Sequence, residues 1–144
     1  MQETVIEQDC SVSAKEFYRT LLISAAQEAS AAIGTDLGEQ DIRQGYHYRH
    51  ATDKGEELVT FKKLVPGREY GVKVARNDGN IQMRYRIDPK DDDHCHVTVM
   101  QTLMTKKKSD WFSSAVMKNR LRKRINLIVT GTKDRLKQEA KEGK

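Results

Sequence analysis

The chain has 144 residues, of which 37% are hydrophobic and 33% are charged, and its formal net charge at pH 7 is +5. This length predicts a single domain over residues 1–144, with one core and room for about one pocket. No apolar run approaches the roughly 20 residues that cross a bilayer, and the N-terminus lacks the basic and apolar regions of a signal peptide, so we expect a cytoplasmic protein without a membrane span.

The first third of the chain predicts a strand followed by a helix. Residues Thr4 to Cys10 alternate loosely, as in a strand, and Ser13 and Glu16 have the spacing of a capping box at a helix start. Apolar residues then recur at helical spacing on one face, which narrows to alanines: Phe17, Leu21, Ala25, Ala29, Ala32 and Ile33. Gly34 suits the helix end because glycine readily takes positive φ. Residues 35–45 fit a short helix or an irregular crossing equally well.

Five strand candidates come next, separated by short turns rich in Gly, Pro and Asp. They are Tyr46–Ala51, Glu57–Val65, Glu69–Arg76, Ile81–Asp88 and His94–Thr105. Short links of this kind join antiparallel neighbours, so the middle of the chain is predicted to be a meander. Alternation puts Tyr, Val and Met on one face and charged residues on the other, although Leu58 and Leu64 blur the pattern in the second strand. We expect a half-buried sheet with helices on its apolar side.

The last quarter, Ser109 to about Lys141, predicts one long helix with Ser109 as its N-cap and a tail that frays from about residue 137. Its apolar stripe consists of Trp111, Ala115, Leu121, Ile125, Ile128, Val129, Thr132 and Leu136. Its back is basic, with Arg120, Lys123, Arg124, Lys137 and Lys141. Residues 106–144 carry a net charge of +9, whereas residues 1–105 carry −4. Gly131 within the helix marks either a close approach to the sheet or a weak point.

Two motifs carry a resemblance: Arg84-Tyr85-Arg86-Ile87-Asp88-Pro89 and His94-Cys95-His96-Val97-Thr98-Val99. Together they resemble the Tyr-x-Ile-x-Pro and Cys-x-Val-Thr signature of an uncharacterised bacterial family in the START-like superfamily (also called SRPBCC, Bet v 1-like or helix-grip). Shorter likenesses extend over nearly the whole chain: Phe17-Tyr18 after Ser13-Ala14, the hairpin Val65-Pro66-Gly67-Arg68-Glu69-Tyr70, and the basic stretch Lys118–Arg124. Val99 departs from the pattern, which prefers Tyr, so a polar cavity group is expected to be missing.

The resemblance implies the α+β helix-grip fold. In this fold a curved antiparallel sheet of about six strands wraps on a long C-terminal helix, and one N-terminal helix follows the first strand. Members of the wider superfamily bind lipids, hormones or polyketides in a cavity between the sheet and the last helix, and some of them are enzymes.

The aromatic side of the predicted sheet is the first candidate site. Ligand pockets are mostly apolar with a few placed polar groups, and tyrosine supplies both. The candidate ligand-binding residues are Tyr48, Phe61, Tyr70, Met83, Tyr85 and Trp111, with Tyr46 nearby and Trp111 as part of a lip over the cavity mouth. The alternative is an ordinary core in which the tyrosine hydroxyls bond to the backbone.

Metal, cofactor and catalytic motifs do not stand out. His94 and His96 share a face, but two imidazoles are too few for a structural zinc site, and a surface pair is the simpler reading. Cys10 and Cys95 are expected to be reduced thiols, with Cys95 in apolar packing. The sequence has no nucleophile elbow and no phosphate-binding glycine loop. We therefore expect no metal and no cofactor, and an enzyme is the last-ranked hypothesis.

The sequence leaves two functions open. The first is non-catalytic binding of a small, largely apolar ligand between the sheet and the C-terminal helix. The second is an interaction module in which the basic face with Arg120, Lys123 and Arg124 contacts an acidic protein or nucleic acid, although such a face is also compatible with simple solvation. Either role suits a monomer or a homodimer.

Overall fold

A computed structural model describes residues 2–53, 55–105 and 114–143. The elements in chain order are β1 (Gln2–Cys10), α1 (Ala14–Ile33), a 3₁₀ turn (Glu39–Asp41), β2 (His47–Thr52), β3 (Gly55–Val65), β4 (Glu69–Arg76), β5 (Gly79–Asp91), β6 (His94–Thr105) and α2 (Ser114–Glu142). The strands form one antiparallel sheet in the order β1-β6-β5-β4-β3-β2. The predicted helix-grip architecture is confirmed. Neither described long helix has the apolar length that a membrane crossing requires.

The ends of α1 follow the local signals in the sequence. The Ser13 hydroxyl accepts a hydrogen bond from the Glu16 backbone N–H at 3.2 Å, which satisfies one of the donors left open at a helix start. At the other end Gly34 has φ 71°, and its N–H donates to the Ser30 carbonyl at 2.9 Å. A residue with a side chain is strained in this conformation, so glycine defines where the helix stops.

A β-bulge interrupts the alternation of inward and outward residues in β3. The register with β4 shifts between Phe61 and Lys63, so one extra residue reverses which side chains face inward. Phe61 lies in the core before the shift, and Leu64 packs against the core after it. Strict alternation cannot place both residues on the same face, whereas one extra residue does.

The core lies between the sheet and the two helices. Its largest fully buried side chains are Tyr85, Phe17, Phe61, Ile87, Ile125, Val97, Val99, Thr132 and Cys95. The rings of Phe17 on α1 and Tyr85 on β5 are 6.2 Å apart at their centroids. Asn126 on α2 accepts a hydrogen bond from the Gln8 side chain of β1 at 2.7 Å. Both helices therefore pack on the same concave, apolar face of the sheet.

In α2 the structure revises the expected approach of Gly131 to the sheet, and the fraying from about residue 137 stays a prediction. A Cβ built at Gly131 would have Thr20 of α1 as its nearest neighbour, at 3.9 Å, so Gly131 faces α1 and not the sheet. The helix continues to Glu142, beyond the point where the sequence predicts fraying. The predicted N-cap Ser109 and the apolar Trp111 lie outside the described residues.

Candidate functional site

A cleft of about 410 Å³ lies between α1 and the strands β2, β3 and β4, and we call it the sheet cleft. It is lined by Ala25, Glu28, Ala31, Ala32, Tyr48, His50, Glu57, Val59, Phe61, Tyr70, Val72, Val74, Arg76 and Arg124. The alanines of α1 form one wall, and their small side chains leave the space open. The opposite wall is aromatic and β-branched, with charged residues toward the edges.

The aromatic wall is part of a continuous series of ring contacts across the sheet. The centroid of Tyr70 is 5.8 Å from that of Tyr85 and 6.1 Å from that of Phe61, both edge to face. The ring centroids of Phe61 and Tyr46 are 6.2 Å apart, and those of Tyr46 and Tyr48 are also 6.2 Å apart. Such pairs hold their rings in defined orientations. This wall is therefore preorganised, and because its rings are almost covered, the accessible apolar groups of the cleft are the valines of β4 and the last alanines of α1.

The tyrosine hydroxyls differ in their partners. Tyr85 is fully buried, and its hydroxyl accepts a hydrogen bond from Arg124 Nε at 2.9 Å. Among the residues that the structure describes, the hydroxyls of Tyr48 and Tyr70 have no hydrogen-bond partner, although both side chains line the cleft. Burial raises the pKa of Tyr70 and of Tyr85 above the ordinary value, so both hydroxyls keep their protons at neutral pH. The hydroxyls of Tyr48 and Tyr70 are thus two hydrogen-bond donors in the cleft without a partner in the described part of the chain.

The sequence predicts Arg124 on the basic face of α2 with Arg120 and Lys123, and the structure gives its side chain a further contact. Its side chain crosses from α2 to the Tyr85 hydroxyl of β5 and lines the cleft, although part of it stays exposed. The proximity of Tyr85 raises the pKa of Arg124, so the guanidinium is cationic at any physiological pH. Arg120, Lys123 and Arg124 are all exposed, and Arg124 differs from the other two in its contact with Tyr85 and its position in the cleft lining.

Glu28 is the anionic counterpart in the cleft, and the sequence gave no reason to select it. It is exposed on α1, three residues after Ala25, and lines the cleft together with Arg124. No ion pair to Glu28 occurs within residues 2–53, 55–105 and 114–143. Burial and, secondly, the charge of Glu28 raise the pKa of Tyr48. The carboxylate therefore acts on the cleft electrostatically while remaining accessible to water.

The outer edge of the cleft is closed by charged groups that neutralise one another. Arg76 and Glu57 form a close ion pair between β4 and β3, and His50 Nδ1 of β2 lies 3.8 Å from Glu57 Oε1. The side chain of Glu57 is mostly covered, so this pair is ordered. Arg124 and Glu28 are consequently the charges of the cleft that a ligand can reach unpaired.

A smaller groove of about 250 Å³ continues between α1 and α2, and we call it the helix groove. It shares Ala25, Glu28, Tyr70 and Arg124 with the sheet cleft. Leu127, which is 73% exposed, lies along its side. Arg124 and Glu28 thus stand where the two spaces meet.

The predicted ligand residues fall into three groups. Tyr48, Phe61 and Tyr70 line the sheet cleft, and Tyr85 lies beneath it and reaches it through Arg124. Met83 is half-buried against the core and is absent from the described lining of the cleft. Trp111 lies outside the described residues.

The residues with metal-ligand or redox chemistry lie elsewhere. His94 binds Asp91 at 2.9 Å, and His96 binds Asp9 at 2.8 Å, on the surface. No cluster of described residues has the makings of a metal site. The free thiols of Cys10 and Cys95 face each other across β1 and β6 and are buried. Hydrogen bonding between the thiols, together with burial, raises the pKa of Cys10, which favours the inert thiol.

A protein-family model described as Domain of unknown function (DUF3284) matches residues 5–122. No curated protein sequence matches the chain significantly. Solved structures do match, although at low identity.

Ara h 8.0201 is 10% identical to the chain, with a TM-score of 0.62, and the match covers 92% of this chain and 98% of that one. The Zhui aromatase/cyclase from Streptomyces sp. R1128 is 13% identical, with a TM-score of 0.60 and coverage of 94% and 95%. A point mutant of norcoclaurine synthase from Thalictrum flavum, in complex with a transition state analogue, is 11% identical, with a TM-score of 0.58 and coverage of 92% and 96%. These similarities support the fold and not a particular activity.

Proposed function

The chain belongs to the family described as Domain of unknown function (DUF3284), and we propose that its sheet cleft binds a small, largely apolar ligand without catalysis. The observation that carries the proposal is the open space of about 410 Å³ between an alanine wall and an aromatic wall. Clefts of this size, mostly apolar with a few directed polar groups, are the usual form of a small-molecule site.

The packing around the cleft supports binding rather than incomplete core formation. Phe61 and Tyr70 are only 1% and 6% exposed, so the aromatic wall is ordered and almost covered. The apolar surface of the cleft that water still reaches belongs to the valines of β4 and the last alanines of α1, and covering it contributes about 25 cal/mol for each Å² buried. Because the wall is already ordered, little conformational entropy is lost on binding.

The similar structures support the same reading. One of them is an aromatase/cyclase, and another is a synthase captured with a transition state analogue, so this fold accommodates small molecules in those proteins. In this chain the polar groups that line the cleft are tyrosine hydroxyls, a guanidinium and a carboxylate. These groups can bind a ligand without taking part in a reaction.

Native mass spectrometry of freshly purified protein, combined with uptake of the neutral dye Nile red, tests the proposal. We expect a co-purifying mass or an increase in dye fluorescence for the unmodified protein. Ala32→Leu places a larger side chain in the cleft and should reduce dye uptake. Ala140→Leu makes the same change at an exposed position of α2 and should not. A protein with no co-purifying mass and no dye uptake, or uptake indifferent to Ala32→Leu, would refute ligand binding in the cleft.

The second candidate is an interaction module that uses the basic face of α2. Exposed Arg120 and Lys123 support it, but Arg124 is directed into the cleft, which leaves a smaller basic patch. This function predicts an affinity for an acidic protein or nucleic acid that falls steeply with salt. Reversing both charges, Arg120→Glu with Lys123→Glu, should abolish that affinity, and unchanged binding would count against it.

A further inference from the structure

We infer that the ligand of the sheet cleft carries an anionic oxygen head group, a carboxylate or its chemical equivalent, that binds Arg124 while the apolar body lies on the aromatic wall. This inference rests on the proposed function and goes beyond it, because an apolar cleft alone does not specify any head group.

Arg124 is held in the cleft by a residue of the sheet. Its Nε donates to the Tyr85 hydroxyl at 2.9 Å, which ties the guanidinium to β5. The guanidinium has further N–H donors on its terminal nitrogens. No carboxylate pairs with Arg124 anywhere in the described part of the chain. A cation is thus held in the cleft by a neutral partner, with donors to spare.

Filling the cleft affects the donors of Arg124 that face it. Arg124 is an exposed residue, so a purely apolar molecule in the cleft covers only those donors and leaves them without a hydrogen-bond partner, which is costly. A ligand that supplies its own anionic oxygens avoids this cost. A planar guanidinium matches a carboxylate well because two parallel N–H···O hydrogen bonds form at once.

The Tyr70 hydroxyl is a second hydrogen-bond donor in the same part of the cleft as Arg124. The ring of Tyr70 is 5.8 Å from that of Tyr85, and Tyr70 lines both the sheet cleft and the helix groove, as Arg124 does. The Tyr70 hydroxyl has no partner among residues that the structure describes. A neutral hydroxyl and a guanidinium together form a donor set that suits an oxyanion.

The cleft also contains two carboxylates. Glu57 is already paired with Arg76 at the outer edge. Glu28 is exposed on α1, as Arg124 is on α2, but no hydrogen bond of the described residues holds its carboxylate in the cleft, whereas Arg124 is held by Tyr85. The negative charge of Glu28 disfavours an anionic head group next to it. The head group is therefore expected toward Arg124, and the body toward Phe61 and the valines of β3 and β4.

Matched probes separate the head group from the body. We would titrate the full chain with 2-naphthoate and 2-naphthylmethanol, and with decanoate and decanol, by isothermal titration calorimetry. The unmodified protein should bind each acid at least about tenfold more tightly than its alcohol, since hydrogen bonds to a charged group are strong. Arg124→Gln should weaken the binding of each acid until it no longer exceeds that of its alcohol, and thermal unfolding of the variant reports that the protein is folded. Arg122→Gln, an exposed arginine two positions away, should retain the preference.

The outcomes distinguish the two proposals. If acids and alcohols bind the unmodified protein equally, or if Arg124→Gln keeps the preference, the head-group inference is wrong while ligand binding in the cleft stands. If neither pair of probes binds the unmodified protein, both the inference and the proposed function are refuted. If Arg122→Gln also lost the preference for acids, that preference would come from the overall positive charge of α2, and the role assigned to Arg124 would be wrong.

Discussion

At each end of the α1–α2 interface a glutamate of α1 and an arginine of α2 lie near the space between the helices, but only one of these two pairs forms an ion pair. At one end, Arg135 of α2 binds Glu16 of α1 with Nη2 and Oε2 2.8 Å apart, and both side chains are largely covered. At the other end, Glu28 of α1 and Arg124 of α2 line one cleft without forming an ion pair. We refer to these as the closed end and the open end.

The neighbouring residues explain the difference. At the closed end the Thr20 and Thr132 hydroxyls are 2.6 Å apart, and Gly131 adds no side chain between the helices. Arg135 completes this end by donating to the Glu16 carbonyl and the Thr20 hydroxyl, each at 3.2 Å. At the open end Arg124 turns away toward Tyr85. At the closed end the two charges thus form an ion pair between the helices, although Arg135 Nε has no hydrogen-bond partner among the described residues, whereas at the open end Arg124 and Glu28 form no ion pair with each other.

The largest effect on this comparison should come from Arg135→Met. This change leaves Glu16 covered and without its cation, so we expect the free energy of unfolding to fall by about 2–4 kcal/mol. Arg122→Met, at an exposed position of the same helix, should change it by less than about 0.5 kcal/mol. Urea denaturation monitored by circular dichroism measures both. An equal response of the two variants would mean that the closed end contributes nothing specific.

A smaller contrast is expected between two alanines of α1. Ala29 is fully buried, so Ala29→Leu should overpack the core and lower the free energy of unfolding by about 1–3 kcal/mol. Ala32→Leu places its side chain in the cleft and should cost less than about 1 kcal/mol, because free space is available there. Denaturation curves of the two variants give the comparison. If Ala32→Leu were as destabilising as Ala29→Leu, the cleft would not be hollow.

The smallest contrast is between the two glutamates. Glu16→Gln weakens the ion pair with Arg135 and should lower the free energy of unfolding by about 1 kcal/mol. Glu28→Gln removes no ion pair of the described chain, so we expect less than about 0.5 kcal/mol. Glu28→Gln should instead tighten the binding of 2-naphthoate, since the substitution removes a negative charge from the cleft. Denaturation and calorimetry on the same samples check this. A larger stability loss for Glu28→Gln would show that the open end is also paired.

Most of the fold could be predicted because its signals are local. The capping residues Ser13 and Gly34 and the turns between the strands act within a few residues of themselves, and periodicity revealed the inward face of the sheet. The cleft residues Tyr48, Phe61 and Tyr70 followed from that alternation. The shift in the β3–β4 register after Phe61 could not be predicted from alternation, because a bulge depends on the neighbouring strand.

The charged part of the site required tertiary information. The helical spacing places Arg124 with Arg120 and Lys123 on the basic back of the helix, although it lies three residues after Leu121 and four before Ile128, at the border of the apolar stripe. A long side chain at such a border can cover apolar surface and reach a polar partner, and only the position of Tyr85 determines that it does. The role of Glu28 likewise depends on what faces it across the cleft.

The most direct test of the open end is a set of intermolecular nuclear Overhauser effects from bound 2-naphthoate to methyl groups of isotope-labelled protein. We predict contacts from the naphthalene protons to Val59, Val72 and Val74, which line the cleft, and none to the fully buried Val97 and Val99. Contacts confined to methyl groups outside the cleft, or none at all with naphthoate bound, would contradict the account.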